Sequence, residues 1–313
     1  MRFPHAAGLG LAAALLIAAP AEGQTSIDPT SLYVKVMELF NTGKYAEALP
    51  YAERVLAIYE KQPDSLELAT ALNTVGVLYQ KLGRNRDAEP LYQRALAIRE
   101  KALGLDHPQV ITTVSNLAAL YRVLGQLSDA GTLFKRVLES HEKSLGSDHP
   151  EVADAAYNLA TVYWVQSRTD AVEPLLKRAL AIREKSFGPE HPAVAQTLNS
   201  LAGFYRDNGR RQEAETLFRR VLIMQETALG FDNLAVATTL NNLAILTQEL
   251  GRNADAEPLH KRALAIREKV LGPDHEFVLA SVNNLAELYR ALGRQADADA
   301  MAQRAQAIRA KAK

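Results

Sequence analysis

Between Ile111 and Val152, apolar side chains fall at Val114, Leu117, Ala118 and Tyr121, with polar positions such as Ser115, Asn116 and Arg122 among them. An α-helix turns once every 3.6 residues, so steps of three and four collect these apolar groups on one face and predict an amphipathic helix. Gly125 interrupts the pattern, and a second run through Ala130, Leu133, Phe134, Val137 and Leu138 resumes it. Glycine just past a helix is a common stop, because it enters the left-handed region without steric cost. The segment thus predicts two helices joined by a tight turn.

The unit recurs every 42 residues. Tyr79, Tyr121, Tyr163, Tyr205 and Tyr289 keep the interval, and Thr247 fills the remaining slot. Small residues recur at Gly76, Ala118, Ala160, Ala202, Ala244 and Ala286, and again at Ala88, Ala130, Ala214, Ala256 and Ala298, with Val172 the exception. Small groups at these positions predict helices that cross at the lower end of the interaxial range of about 8–10 Å. The joints LGLDHP, LGSDHP, FGPEHP and LGPDHE set a glycine after each second helix and usually a proline at the next helix start. A fixed period of this length means stacked units, none of which buries its apolar face alone. The predicted fold is therefore an all-α solenoid of about seven antiparallel helix pairs: six copies over 66–313, after a shorter, atypical pair over 30–65 that serves as an N-terminal cap. In that first pair Tyr33, Val36, Met37 and Phe40 mark one helix, and Ala48, Ala52, Val55 and Leu56 the next. The last copy sets Ala302 and Gln306 where inner copies carry Phe134 and Leu138, so it is expected to close the stack as a C-terminal cap.

Three departures carry expectations. Ser167 stands in the turn-glycine position of the third full copy, and Thr247 with His260 replaces two core aromatic positions of the fifth, so both copies are expected to pack less well. LGFDNL lacks the histidine and proline of the other joints and is expected to be looser.

Residues 1–21 carry Arg2, an apolar run from Ala6 to Ala19 and the small-x-small sequence Ala19-Pro20-Ala21, which read together as a cleavable export signal. The apolar run is short of the roughly 20 residues that a bilayer-crossing helix needs. Residues 22–29 read as a linker. An exported chain without cysteine has neither disulfides nor thiolate-bound metal to hold it together. Removal of the leader takes one cation from a balance of 36 basic and 36 acidic residues, which leaves none of the basic excess of a nucleic-acid or anionic-membrane binder. Neither partner is expected after signal cleavage.

The strings NLAALY at Asn116, NLATVY at Asn158 and NNLAELY at Asn283, with AEPLxKRALAIREKxLGxDHP, resemble the tetratricopeptide repeat in its 42-residue form, the form of kinesin light chains. The resemblance covers 66–313. It implies a right-handed superhelix whose first helices line a concave groove, and a role in holding peptide segments of other proteins. It further implies that asparagines before the Leu-Ala step, here Asn116, Asn158, Asn242 and Asn284, grip the backbone of an extended peptide, with Thr74 and Ser200 in the other two copies. An amide has both a donor and an acceptor for that task. The alternative is that these asparagines brace neighbouring helices.

Unlike residues at equivalent positions point to the ligand. One residue past the tyrosine slot the series runs Gln80, Arg122, Trp164, Arg206, Gln248, Arg290, and Pro90, Pro174 and Pro258 alternate with Thr132 and Thr216, which suggests an 84-residue double unit. Trp164, with Tyr157 two turns earlier and Arg122 and Arg206 in the flanking copies, is the first choice for an anchor of an aromatic or acidic segment. The competing reading packs Trp164 against a neighbouring helix and pairs the arginines with acids such as Asp207. Gly203 either admits a ligand backbone or is drift.

His107, His149, His191 and His275 occur once per joint, spaced by whole helices, and read as helix caps rather than metal ligands. No motif of metalloprotease, phosphate-binding, calcium-loop or serine-hydrolase type occurs. No catalytic residue, cofactor or metal is expected, and Arg99, Glu100 and Lys101 of the REK strings read as solvated faces of second helices. The expected molecule is an exported scaffold, periplasmic or secreted and a monomer rather than a homo-oligomer, that binds protein or peptide partners. The other reading is a structural subunit of a cell-envelope complex that assembles through its edges or end caps.

Overall fold

The computed structural model describes residues 28–61 and 64–311; the leader and residues 22–27 of the expected linker lie outside them. Among the described residues there are fourteen helices and no strand. They form a first pair, α1 (Pro29–Asn41) and α2 (Tyr45–Tyr59), followed by α3 (Leu66–Lys81) and α4 (Asn85–Leu103), α5 (Pro108–Val123) and α6 (Leu127–Leu145), and α7 (Pro150–Val165) and α8 (Thr169–Phe187). The rest are α9 (Pro192–Asp207) and α10 (Arg211–Leu229), α11 (Leu234–Glu249) and α12 (Asn253–Leu271), and α13 (Glu276–Ala291) and α14 (Gln295–Lys311). The chain divides into two compact units, one ending at Ser167 and one starting at Arg168. Helix α1 starts earlier than the sequence suggested: Asp28 accepts from the amides of Thr30 and Ser31, and Pro29 opens the first turn.

In each unit, consecutive helices pack through the small residues. Ala88, Ala118, Ala130 and Ala160 in the first unit, and Ala202, Ala214, Ala244, Ala256 and Ala298 in the second, have no accessible surface. The crossing of α3 and α4 leaves no room for a methyl at Gly76. A Cβ on Gly76 would lie 2.8 Å from the Tyr92 ring, so the larger ring on α4 is accommodated by the missing methyl on α3.

The turns within pairs share one device. Gly83, Gly125, Gly209, Gly251 and Gly293 all take φ between 72° and 77°. At the first of these, the amide of Arg84 returns to the Tyr79 carbonyl at 2.8 Å. Ser167 adopts the same left-handed conformation, φ 59°, without glycine's freedom.

The joints between pairs share another. Nδ1 of His107, His149, His191 and His275 accepts from the amide two residues on, at 3.1–3.3 Å, and so caps the next first helix. The LGFDNL joint is not looser on this measure, because Asn233 Oδ1 accepts from Ala235 N at 2.8 Å and supplies the same cap.

The REK strings are not uniformly solvated. Arg99, Arg183 and Arg267 are each less than a tenth exposed, since their helical phase turns them toward the next first helix. There Arg99 donates to the Gln109 carbonyl and to the hydroxyls of Thr113 and Thr70; Arg183 and Arg267 make the equivalent bonds to Thr197 and Ser281 at 2.6 Å. The neighbouring glutamates tie successive second helices together, as in Arg136–Glu100 at 2.7 Å and Arg220–Glu184 at 2.8 Å. In the second unit, Lys177, Tyr205 and Arg210 converge on Glu173, and Lys177 foremost holds its carboxyl down at about 2. At the C-terminal end α14 buries only Ala298, Ala305 and Ile308, and Lys311 pairs with Asp274.

Two stability predictions follow from the close contacts. Gly76→Ala should destabilise the chain by about 1–3 kcal/mol in chemical denaturation, the usual cost of overpacking, and adding Tyr92→Leu should recover part of it. Ser167→Gly should stabilise by about 1 kcal/mol and raise the melting temperature, because it removes the Cβ strain of a left-handed residue.

Candidate functional site

Burial along each first helix leaves one stripe accessible. On α5 the buried side chains are Val110, Ile111, Thr113, Val114, Leu117, Ala118 and Leu120. Beyond the first turn, and apart from the half-buried Tyr121, what remains accessible is Thr112, Ser115, Asn116, Ala119, Arg122 and Val123, on neighbouring turns of one face. The same positions are accessible on the other first helices, apart from Asn73 of α3, which is buried. Tyr157, Asn158 and Trp164 of α7 all lie on this stripe and are half-buried. Arg206 and Gly203 of α9, Asn242 of α11, and Asn284 and Arg290 of α13 lie on it in the second unit.

Neighbouring stripes are joined by a side-chain ladder. Asn116 Nδ2 donates to Asn73 Oδ1 at 3.1 Å between α5 and α3, and Asn284 Nδ2 to Asn241 Oδ1 at 2.7 Å between α13 and α11. Two of the four predicted asparagines therefore brace adjacent helices. The amides of Asn158 and Asn242 make no side-chain hydrogen bond among the described residues, and Asn199 Oδ1, which stands to Asn242 as Asn73 does to Asn116, is buried without a partner. Tyr33 occupies the equivalent slot on α1; burial raises its hydroxyl, which also lies against Thr74.

The arginines of the stripe divide in the same way. Arg206 is held by Asp207 at 3.0 Å, with Glu249 at 4.0 Å, and Arg211 shares Glu249 at 3.5 Å. Arg122 and Arg290 are exposed and have no ion-pair partner among the described residues. In the second unit Glu173, Pro174, Lys177, Phe204 and Arg210 line an open cleft beside the intra-pair turn, away from the stripe.

The tetratricopeptide repeat family model matches residues 37–101, 109–185, 155–227 and 235–311. The chain belongs to the tetratricopeptide repeat family. It is of the kinesin-light-chain-like type: the solved repeats of a Podosopora anserina kinesin light chain protein, described as nearly identical TPR-like repeats, are 28% identical, with a TM-score of 0.56 over 64% of this chain and 96% of that one. The apo form of RapI has the same fold, with a TM-score of 0.69 at 17% identity, covering 91% of this chain and 98% of that chain. A nucleotide-binding leucine-rich repeat (NLR)-like protein of Hyaloscypha variabilis is 41% identical over 64 residues, 20% of this chain, which spans 6% of that relative's length. As a tetratricopeptide solenoid the protein is a protein–protein interaction scaffold.

Within this tetratricopeptide chain, part of the alternating series past the tyrosine slot has a structural cause. Tyr92 of α4 is fully buried and its hydroxyl donates to Gln80 Oε1 at 2.8 Å. His260 fills the same slot on α12, 1% exposed, and its Nε2 bonds Gln248 Oε1 at 2.8 Å. Where that slot is Phe134 or Phe218 there is no polar atom to satisfy, and the series carries arginine instead. Gln80 and Gln248 are therefore partners of the core. The fifth copy also closes over its substitutions: Thr247 is 1% exposed and its hydroxyl donates to the Leu243 carbonyl at 2.7 Å. The signal for these pairs is present in the sequence as matched exceptions at two slots twelve residues apart.

His260 carries a pH dependence. Burial, with Arg267 as a lesser cause, brings its imidazole down to about 4, so it is neutral in the folded chain at neutral pH. The unfolded imidazole, near 6.5, takes up a proton first on acidification, so its contribution to stability is complete above about 6.5 and is lost as pH falls toward about 4. His260→Tyr, which reproduces the Tyr92–Gln80 pair, should flatten the fall in stability across that window relative to the parent chain in denaturant titrations at a series of pH values.

Proposed function

We propose that the protein is an exported scaffold that binds peptide segments of partner proteins along the first-helix stripe. The observation that carries this reading is the contrast between surfaces. The second helices pair their charges with one another from copy to copy, whereas the stripe retains the unbonded amides of Asn158 and Asn242 and the unpaired guanidinium groups of Arg122 and Arg290. Amides with open donors and acceptors suit a peptide main chain, and an unpaired arginine suits a carboxylate. Tyr157 and Trp164, on the same stripe of α7, supply aromatic area of the kind that anchors partner segments. Asn116 and Asn284 contribute by fixing the spacing of the helices that carry these groups. Export follows the reading of residues 1–21 and agrees with the absence of cysteine.

A second reading, assembly through an edge, is favoured by Phe187, Phe231 and Phe277, which are 44%, 65% and 52% exposed at or beside the joints of the second unit.

Photo-crosslinking separates the two. A crosslinking residue at Ala119, on the stripe, should capture a partner in extracts of the producing cell, and one at Ala97, on the second-helix face, should not. Asn242→Ala with Arg122→Ala should abolish the capture and leave the melting temperature within about 1–2 °C, as expected for surface changes of a few tenths of a kcal/mol. Capture that survives this pair but is lost in Phe231→Asp with Phe277→Asp would establish the edge reading instead. N-terminal sequencing of the mature protein should begin at Glu22.

A further inference from the structure

The two units do not present the same stripe. In the first, Val34, Val123 and Val165 are 63%, 56% and 66% exposed. Val34 belongs to α1, and Val123 and Val165 take equivalent places at the ends of α5 and α7. Met37, Phe40 and Val77 are half-buried on the same faces. In the second unit, Ile245 is the one large aliphatic group on the stripe, and the equivalents of the two valines are Asp207, Glu249 and Ala291. Its most frequent side chain is the primary amide, with Asn199, Asn241, Asn242, Asn283 and Asn284 on three consecutive first helices.

Charge divides the stripes as well. Lys81 and Arg122 are exposed cations of the first stripe with no ion-pair partner among the described residues, and the Lys35–Glu38 pair on α1 neutralises itself. Asp154 is the one acid on the α3, α5 and α7 stripes. On the second stripe Arg206 is already matched by Asp207 and Glu249, and Arg290, though without an ion-pair partner among the described residues, shares the stripe with the acids Asp207, Glu249 and Glu287. Exposed aliphatic groups scattered singly are ordinary, but here they recur at equivalent places on one face beside unmatched cations.

We infer that sequence selection resides in the first unit, whose stripe takes a partner segment of aliphatic side chains flanked by carboxylates. The amide stripe of the second unit takes main chain and discriminates little between sequences. An aliphatic stripe rewards apolar side chains by the area it removes from water, and unmatched cations reward carboxylates and repel lysine-rich segments. A carboxamide offers a donor and an acceptor to any peptide unit, so it adds affinity without a demand on side-chain identity. The inference rests on the peptide-binding reading above and assigns its chemistry.

Selection of a random peptide library on the purified full chain tests it. The parent chain should enrich peptides that combine Val, Leu or Ile with Asp or Glu. Lys81→Glu with Arg122→Glu should replace the acidic preference by a basic one, and Val123→Asp with Val165→Asp should remove the aliphatic preference. Asn242→Ala with Asn283→Ala should lower recovery several-fold and leave the composition unchanged. All these positions are exposed or half-buried, and unchanged helicity and melting temperature verify that each variant folds. Peptides enriched without aliphatic or acidic bias, or a composition that moves with the asparagine pair rather than with the first-unit pairs, would overturn the inference while peptide binding itself stands. Failure of the parent chain to enrich peptides at all would remove both.

Discussion

The small residue at each helix crossing is the constraint on which the rest of the molecule depends. A single methyl or hydrogen at the Gly76 and Ala88 positions and their equivalents lets neighbouring helices approach closely enough for everything around them to meet. At that separation the Asn116–Asn73 and Asn284–Asn241 rungs close, the buried arginines reach the hydroxyls of the following first helix, and the glutamates of one second helix reach the arginines of the next. Were the helices held farther apart by larger side chains, these polar groups would be left buried and unbonded, which costs more than their bonds contribute. Gly76 shows how narrow the tolerance is, since one larger ring on the facing helix is matched by removal of the last methyl.

Polar atoms inside such a thin stack need local partners, and the repeats supply them in matched sets. The hydroxyl of Tyr92 and the ring nitrogen of His260 each meet a glutamine twelve residues earlier, while phenylalanine at the same place needs none. The buried Arg99 and Arg267 donate to hydroxyls and main-chain carbonyls, and Arg183 makes the same bonds to Thr197 and to the Ala193 carbonyl. The guanidinium of Arg99 is accordingly less basic than in water, because burial penalises its charge. Part of the two-copy alternation of the sequence is thus an alternation of core chemistry, and only the remainder is available to report on a ligand.

The helices, turns and joints were legible because each depends on a local rule: apolar steps of three and four, glycine at positive φ, a cap before each first helix. Asn233 shows that such a rule is chemical rather than literal, since an acceptor of another residue type makes the same bond. The burial of Arg99 was not legible, because the position looks solvated by composition and only the packing of the following helix reveals its hydrogen-bond partners. Gln80 and Gln248 were misread as ligand-facing variation for a related reason: their partners lie on the second helix, and one row of the repeat shows only half of each pair. Of the predicted stripe residues, Asn116, Asn284 and Arg206 turned out to have partners within the protein, a matter of geometry between helices that no single copy contains.

The side chains of Arg122, Asn158, Asn242 and Arg290 stand apart from these, because they form no such bond among the described residues. Arg122 belongs to a copy where Phe134 requires no polar partner, Asn158 and Asn242 make no rung, and Val123 and Val165 stand exposed where three other copies carry Lys81, Asp207 and Glu249. The folded chain gains no hydrogen bond from these side chains and bears the solvation cost of its exposed valines. In the first unit Val123 and Val165 repeat one position of consecutive first helices beside Arg122, and a partner segment of complementary chemistry gives that repetition a cause outside the folded chain.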